Sequence, residues 1–196
     1  MDQHLNIPGP AGILEARQSG EGTSGIAVLC HPHPLYGGSM EDAVLGVLAN
    51  CLHDIGFASL RFNFRGVGRS DGEHDGAGGE VDDLRTVIAW VQDARPELPL
   101  LLGGYSFGAS TVCQLLARAD APAATRVLLI APPVGNLPAP EPGIPTDVFV
   151  GDADAFVDLL ALARWDSASI HTLPGADHFF SGSWQALAAA IHTALE

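Results

Sequence analysis

The chain contains no lysine: its nine basic side chains are all arginine, set against 23 aspartates and glutamates, for a formal net charge of −14 over 196 residues. So large a negative excess repels phosphate backbones and anionic headgroups, which makes nucleic acid and membrane surfaces poor partners. Cysteine is scarce. Cys30, Cys51 and Cys113 lie inside apolar segments with neither paired nor metal-ligand spacing, which argues against a disulfide framework and reads as buried thiols in a reducing compartment. No apolar run approaches membrane-spanning length. The N-terminal MDQHLNIPGPAGILEARQ lacks a basic start followed by an apolar core, so the expectation is a soluble, cytoplasmic protein with no signal peptide. Repeats, linkers and a second-domain signal are also missing.

What is present is enough apolar material for a core. Hydrophobic residues make up 47% of the chain, and its length suits one domain that buries roughly two thirds of its unfolded surface. Ile26 to Cys30 is a continuous apolar run, as expected of a strand covered on both faces of a parallel sheet, and Arg126 to Ile130 reads as another buried strand. Phe57 to Phe64, Asp147 to Val150 and Ser169 to Leu173 read as further strands, and Ile13 to Arg17 as a weak edge strand. Helical spacing recurs over Asp42 to Ile55, Glu80 to Ala94, Phe156 to Trp165 and Trp184 to Leu195. Strands alternating with helices predict an α/β fold, a mostly parallel sheet flanked by helices on both faces.

The stretch LPLLLGGYSFGASTVCQLLA, Leu98 to Ala117, carries the clearest chemistry. Leu100 to Leu102 leads into Gly104-Tyr105-Ser106-Phe107-Gly108, and apolar helical spacing follows at Val112, Leu115 and Leu116. Gly-x-Ser-x-Gly between strand and helix is the pattern of a nucleophile elbow. The serine needs a strained backbone, and the glycines let strand and helix approach. That geometry points the Ser106 hydroxyl outward and sets the Phe107 amide at a helix N-terminus, where a developing oxyanion is favoured.

Other loops at the carboxyl ends of strands carry polar residues. His31-Pro32-His33-Pro34-Leu35-Tyr36-Gly37-Gly38 follows the Ile26 strand; its two prolines predict an irregular loop free of helix. Arg65 to Gly72 is glycine-rich but meets neither dinucleotide nor P-loop spacing. Gly151-Asp152-Ala153-Asp154 and Gly175-Ala176-Asp177-His178 follow later strands, so acid and base succeed the serine in the order Ser, Asp, His. Ala131 to Pro145 is too rich in proline to form a helix or lid.

On these residues the chain resembles the α/β-hydrolase superfamily, and within it the small, lidless bacterial esterase-like members. The resemblance rests on the His-Pro-His-Pro-x-Tyr-Gly-Gly loop at His31 to Gly38, on Asn-Phe-Arg-Gly-x-Gly-x-Ser-x-Gly at Asn63 to Gly72, on the elbow, and on the late Gly-x-x-Asp and terminal His. It covers nearly the whole chain and speaks for fold and triad, not for substrate. It implies an α/β-hydrolase fold without a cap domain, Ser106 as nucleophile and His178 as base. His4, His53, His74 and His192 fall outside the sheet-end loops, and His171 falls within a strand pattern. For the acid, Asp154 matches the Gly-x-x-Asp position, with Asp152 the alternative and Asp177 a loop cap.

The second oxyanion donor must come from the loop after the Ile26 strand, where Pro32 and Pro34 have no N–H to give, which leaves His33, Leu35 or a residue just beyond; the resemblance points to the His33 amide. Leu35 and Tyr36 are the expected pocket residues. His31 and His33 could also form a metal pair, although metal hydrolases of that kind need further ligands. The implied activity is cleavage of small-molecule carboxylic esters with no cofactor and no metal. Thioesters and amides share the chemistry, and a non-catalytic binding module is the rival class. Without a lid, short acyl chains should be favoured.

Overall fold

The structure is a computed structural model that describes residues 2–76, 78–135, 137–140 and 143–196. One expected segment touches the remainder: Asn136, Glu141 and Pro142 of the proline-rich loop lie outside the described residues. Eight strands form one sheet: β1 (Gln3–Gly9), β2 (Gly12–Ser19), β3 (Gly25–Cys30), β4 (Phe57–Phe62), β5 (Leu100–Tyr105), β6 (Arg126–Ile130), β7 (Thr146–Gly151) and β8 (Ser169–Leu173). Among the described residues five α-helices accompany them: α1 (Ala43–Asp54), α2 (Gly79–Ala94), α3 (Phe107–Leu116), α4 (Leu159–Leu162) and α5 (Trp184–Leu195). The strand order is β1-β2-β4-β3-β5-β6-β7-β8, with β1 and β2 antiparallel to their neighbours and the rest parallel.

Every residue of β3, β5 and β7 is buried, as their apolar runs require. Right-handed crossovers then decide the layers: the chain leaves β3 for β4 on one side and returns through α2 to β5 on the other. Accordingly α1 packs with α5 and α2 packs with α3. Beyond the carboxyl ends of β3 and β5 the strand order reverses, and a crevice opens there. Both loops that carry the main motifs, His31 to Gly38 and the elbow, leave the sheet at that crevice.

Three expectations need correction. The weak edge strand at Ile13 to Arg17 is the core of β2, and a further strand, β1, lies outside it as the true edge; only Ile7 of β1 is buried, so its sequence carries almost no hydrophobic signal. The loop after β3 holds one turn of 3₁₀ helix at Pro34–Tyr36. Proline fits at its first position, where no helical N–H is needed, and His33 Nδ1 caps it by accepting from Leu35 N. The expected helix at Phe156 to Trp165 contracts to α4, because Asp158 caps it by accepting from Leu160 and Ala161 and so starts it late.

The Asn63 to Gly72 segment acts as a fastener. Asn63 Oδ1 accepts from Met40 N at 2.8 Å and its Nδ2 donates to Glu15 at 2.8 Å, joining the loop after β3 to β2. Arg65 grips the fully buried Asp83 of α2 through Nε at 3.0 Å and Nη2 at 2.7 Å. Breaking such a buried pair leaves an uncompensated charge, so this loop is held in place rather than free to cradle a phosphate.

His31 is fully buried, and its ring joins the loop after β3 to the segment after β4. Phe64 N can only donate, so Nε2 accepts from it at 3.1 Å and the proton sits on Nδ1, which donates to Pro32 O at 2.6 Å. With both nitrogens engaged by main chain, His31 does not pair with His33 as a metal site. Burial pushes its pKa down to about 4. Because that lies below the unfolded value, the stabilisation is complete above the unfolded pKa and is lost as pH falls toward 4. Urea unfolding is expected to show about 2 kcal/mol lost through this group between pH 7.5 and pH 5. His31→Asn should flatten that dependence, and an unchanged slope in the variant would assign it to other groups.

Candidate active site

The elbow is built from close approaches. Ser106 has φ 53° and ψ −114°, a conformation that L-residues avoid. A Cβ on Gly104 would lie 2.5 Å from the Gly108 carbonyl, and one on Gly108 would lie 2.2 Å from Cys30 O at the end of β3. The second contact shows that Gly108 is needed against the neighbouring strand, not only for the local turn. Ser106 N donates to Ile130 O at 2.8 Å, which ties the elbow to β6 as well. Phe107 begins α3, so its N–H has no intrahelical acceptor and faces outward at the positive end of the helix.

Two later loops complete a hydrogen-bonded chain. His178 Nε2 is 3.0 Å from Ser106 Oγ, and His178 Nδ1 is 2.7 Å from Asp154 Oδ2. A carboxylate only accepts, so the proton lies on Nδ1 and the Nε2 lone pair is left for the serine hydroxyl. The Asp154 side chain is fully buried, and its other oxygen, Oδ1, accepts from Phe156 N at 2.8 Å and Val157 N at 3.1 Å. Every oxygen of this acid is thereby fixed. Tyr105 Oη donates to His178 O at 2.9 Å from the residue beside the serine, and burial raises its own pKa. Phe156 and Phe179 flank the imidazole with ring centroids 4.8 and 5.5 Å away.

The alternatives for the acid separate cleanly. Asp152 Oδ1 accepts from Gly175 N at 2.6 Å and holds the β8 loop. Asp177 Oδ1 accepts from Phe179 N and Ser181 N, a cap as expected. Only Asp154 reaches His178.

On the opposite side of the serine, Pro32 O accepts from His31 Nδ1 and His33 O accepts from Tyr36 N and Gly38 N, both at 3.1 Å, which pins the peptides on either side of His33. Its N–H has no hydrogen-bond partner among the described residues. The cleft between these groups measures about 680 Å³ and is lined by His33, Tyr36, Ser106, Phe107 and His178 among others. Leu35, expected beside Tyr36, does not line it and is 73% exposed. Successive residues of a 3₁₀ turn point about 120° apart, so Tyr36 can face the cleft only if Leu35 turns to solvent.

Sequence reasoning missed His74. The loop after β4 folds back over the crevice and brings its ring within 5.0 Å of the His33 ring and 5.6 Å of the Phe107 ring, centroid to centroid. The buried Glu80 in the first turn of α2 fixes it, with Nδ1 and Oε1 2.7 Å apart. A His-x-x-x-x-x-Glu spacing across a loop and a helix start was the available signal, and it is too common to single out. Burial, and secondarily the His74 ring, lower the His33 pKa. The other histidines serve the flanks: His53 meets Ser59, His171 meets Asp147 and His192 meets Asp54.

A hydroxyl on an imidazole–carboxylate pair, beside two free amides, can attack a carbonyl and hold the resulting oxyanion. This is the arrangement of a serine hydrolase on an α/β-hydrolase sheet. The chain belongs to the family described as serine aminopeptidase, S33, whose model matches residues 36–143. An uncharacterized protein of Rickettsia prowazekii is 35% identical over 94% of this chain and 84% of its own. An alpha-beta serine hydrolase homologue from Coxiella burnetii is 30% identical, with a TM-score of 0.89 over 99% of this chain and 97% of that one. A serine hydrolase from Xanthomonas campestris, described as without a lid, is 33% identical with a TM-score of 0.87 over 99% and 93%. Among the described residues no helix is long and apolar enough to cross a membrane.

His74 supports the His33 side of the site without facing the serine. His74→Ala is expected to lower kcat on p-nitrophenyl butyrate by about ten- to a hundredfold, with KM nearly unchanged, because displaced transition-state donors cost rate more than binding. An unaltered kcat would show that the Glu80–His74 pair serves the loop alone.

Proposed function

We propose that the protein hydrolyses carboxylic esters of small or short-chain acyl groups through an acyl-serine intermediate. Ser106 attacks the carbonyl while His178 Nε2 takes its proton; Asp154 orients the imidazole and stabilises its cationic form. The tetrahedral oxyanion is held by the amides of Phe107 and His33. Collapse expels the alcohol, protonated by His178, and water then repeats the sequence to release the acid. The chemistry needs no cofactor. The observation that carries this reading is the unbroken chain Ser106, His178, Asp154 at 3.0 and 2.7 Å, opening on a cleft beside a helix N-terminus.

Short chains are supported by the surroundings of the cleft. Pro133 reaches its wall from the proline-rich loop, whose described residues form no helix that could cap it. The three buried, unpaired thiols support a reducing, cytoplasmic setting. The family description favours one second reading, cleavage of an amide, which would use the same residues with an amine as leaving group.

A series of p-nitrophenyl esters from acetate to palmitate, with matched anilides, tests both points. Expected are kcat/KM values highest at acetate or butyrate, ester rates well above anilide rates, and a loss on the order of 10⁴-fold or more in Ser106→Ala. Faster turnover of the palmitate than of the butyrate ester would contradict the open-cleft account, and faster turnover of the anilides would favour the amidase.

A further inference from the structure

One charged side chain on the cleft wall is not used by the chemistry above. Asp42 lines the cleft with Ser106, Tyr105 and Ser110, at the start of α1. Its Oδ1 accepts from Val44 N at 2.9 Å and Leu45 N at 3.1 Å, which explains an N-cap. Its second oxygen has no hydrogen-bond partner among the described residues. None of the arginine ion pairs involves it, and no arginine lines the cleft among the described residues; the two histidines that do, His33 and His178, make no hydrogen bond to it. Tyr105 cannot answer it, since that hydroxyl is spent on His178 O. An asparagine would cap the helix as well, so beyond its attraction to the helix dipole the charge has no partner in the fold.

The rest of the wall is aromatic. Tyr36, Phe156 and Phe179 are 88%, 64% and 59% exposed, large rings left in water around the mouth, and Phe107 lines the wall behind them. Aromatic faces and one unanswered carboxylate, with no arginine or lysine in the lining, form an environment that attracts an organic ammonium group. The formal charge of −14 would steer cations to the same place and turn anions away.

We propose that the cleft selects esters bearing a positively charged ammonium group, with Asp42 as the specificity-determining carboxylate and the mouth aromatics as its cation–π partners. This rests on the hydrolase reading above. Burial raises the Asp42 pKa, the effect that a bound cation would relieve.

The test compares kcat/KM for butyrylcholine with that for its neutral carbon isostere, 3,3-dimethylbutyl butyrate, in the native chain and in Asp42→Asn. The variant keeps the cap and loses the charge, and its thermal midpoint reports whether it folds. The proposal expects a preference of at least about tenfold for the cationic ester in the native chain, shrinking toward unity in Asp42→Asn and weakening at high salt. Equal rates on the two esters, or a preference that survives Asp42→Asn, overturn it. So does failure to hydrolyse butyrylcholine by a chain that turns over p-nitrophenyl butyrate through Ser106. Loss of that last activity would instead sink the hydrolase reading itself.

Discussion

The contact on which the site depends is the approach of the elbow backbone to the end of β3. At Gly108 there is room for a hydrogen and nothing more, because Cys30 O and His31 O lie where a side chain would begin. That approach places the start of α3, and so the Phe107 amide, against the loop that carries the His33 amide. It also holds Ser106 in its strained conformation from both sides, since Gly104 is equally crowded by the Gly108 carbonyl. The proposed nucleophile and oxyanion donors therefore share one rigid origin at the point where the strand order reverses.

Around that origin the chain spends its polar residues on holding loops still. Asn63, Glu15 and Ser70 lock the loop after β4 to β2, and Asn63 also holds Met40. The ion pair of Arg65 with buried Asp83 adds registry more than net stability, because desolving two charges offsets much of their attraction. His31 performs the same service with a neutral ring. The acid–base pair is treated likewise: Asp154 is anchored by two amides before it meets His178, so little reorganisation is left to the reaction.

Much of this was legible in the sequence, for physical reasons. The buried parallel strands announce themselves because both faces must be apolar, and the elbow because only glycine fits at two fixed positions. The order Ser106, Asp154, His178 of the hydrogen-bonded chain follows once strand ends are known. Less visible was whatever depends on one face or on distance. β1 buries little beyond Ile7, so it looks like a polar tail. Leu35 and Tyr36 are neighbours in sequence but point apart on a 3₁₀ turn. In the sequence His74 falls outside the sheet-end loops, and only the fold carries it back beside His33. Asp154 and Asp152, two residues apart, became distinguishable only when their hydrogen bonds could be followed.

The central claim is that Ser106 is an activated nucleophile. The most direct measurement is intact-mass analysis after treatment with a fluorophosphonate probe, on the native chain and on Ser106→Ala. The account predicts one adduct per native chain and none on the variant. A folded native chain that takes up no probe, or a variant that is labelled as readily, would contradict it.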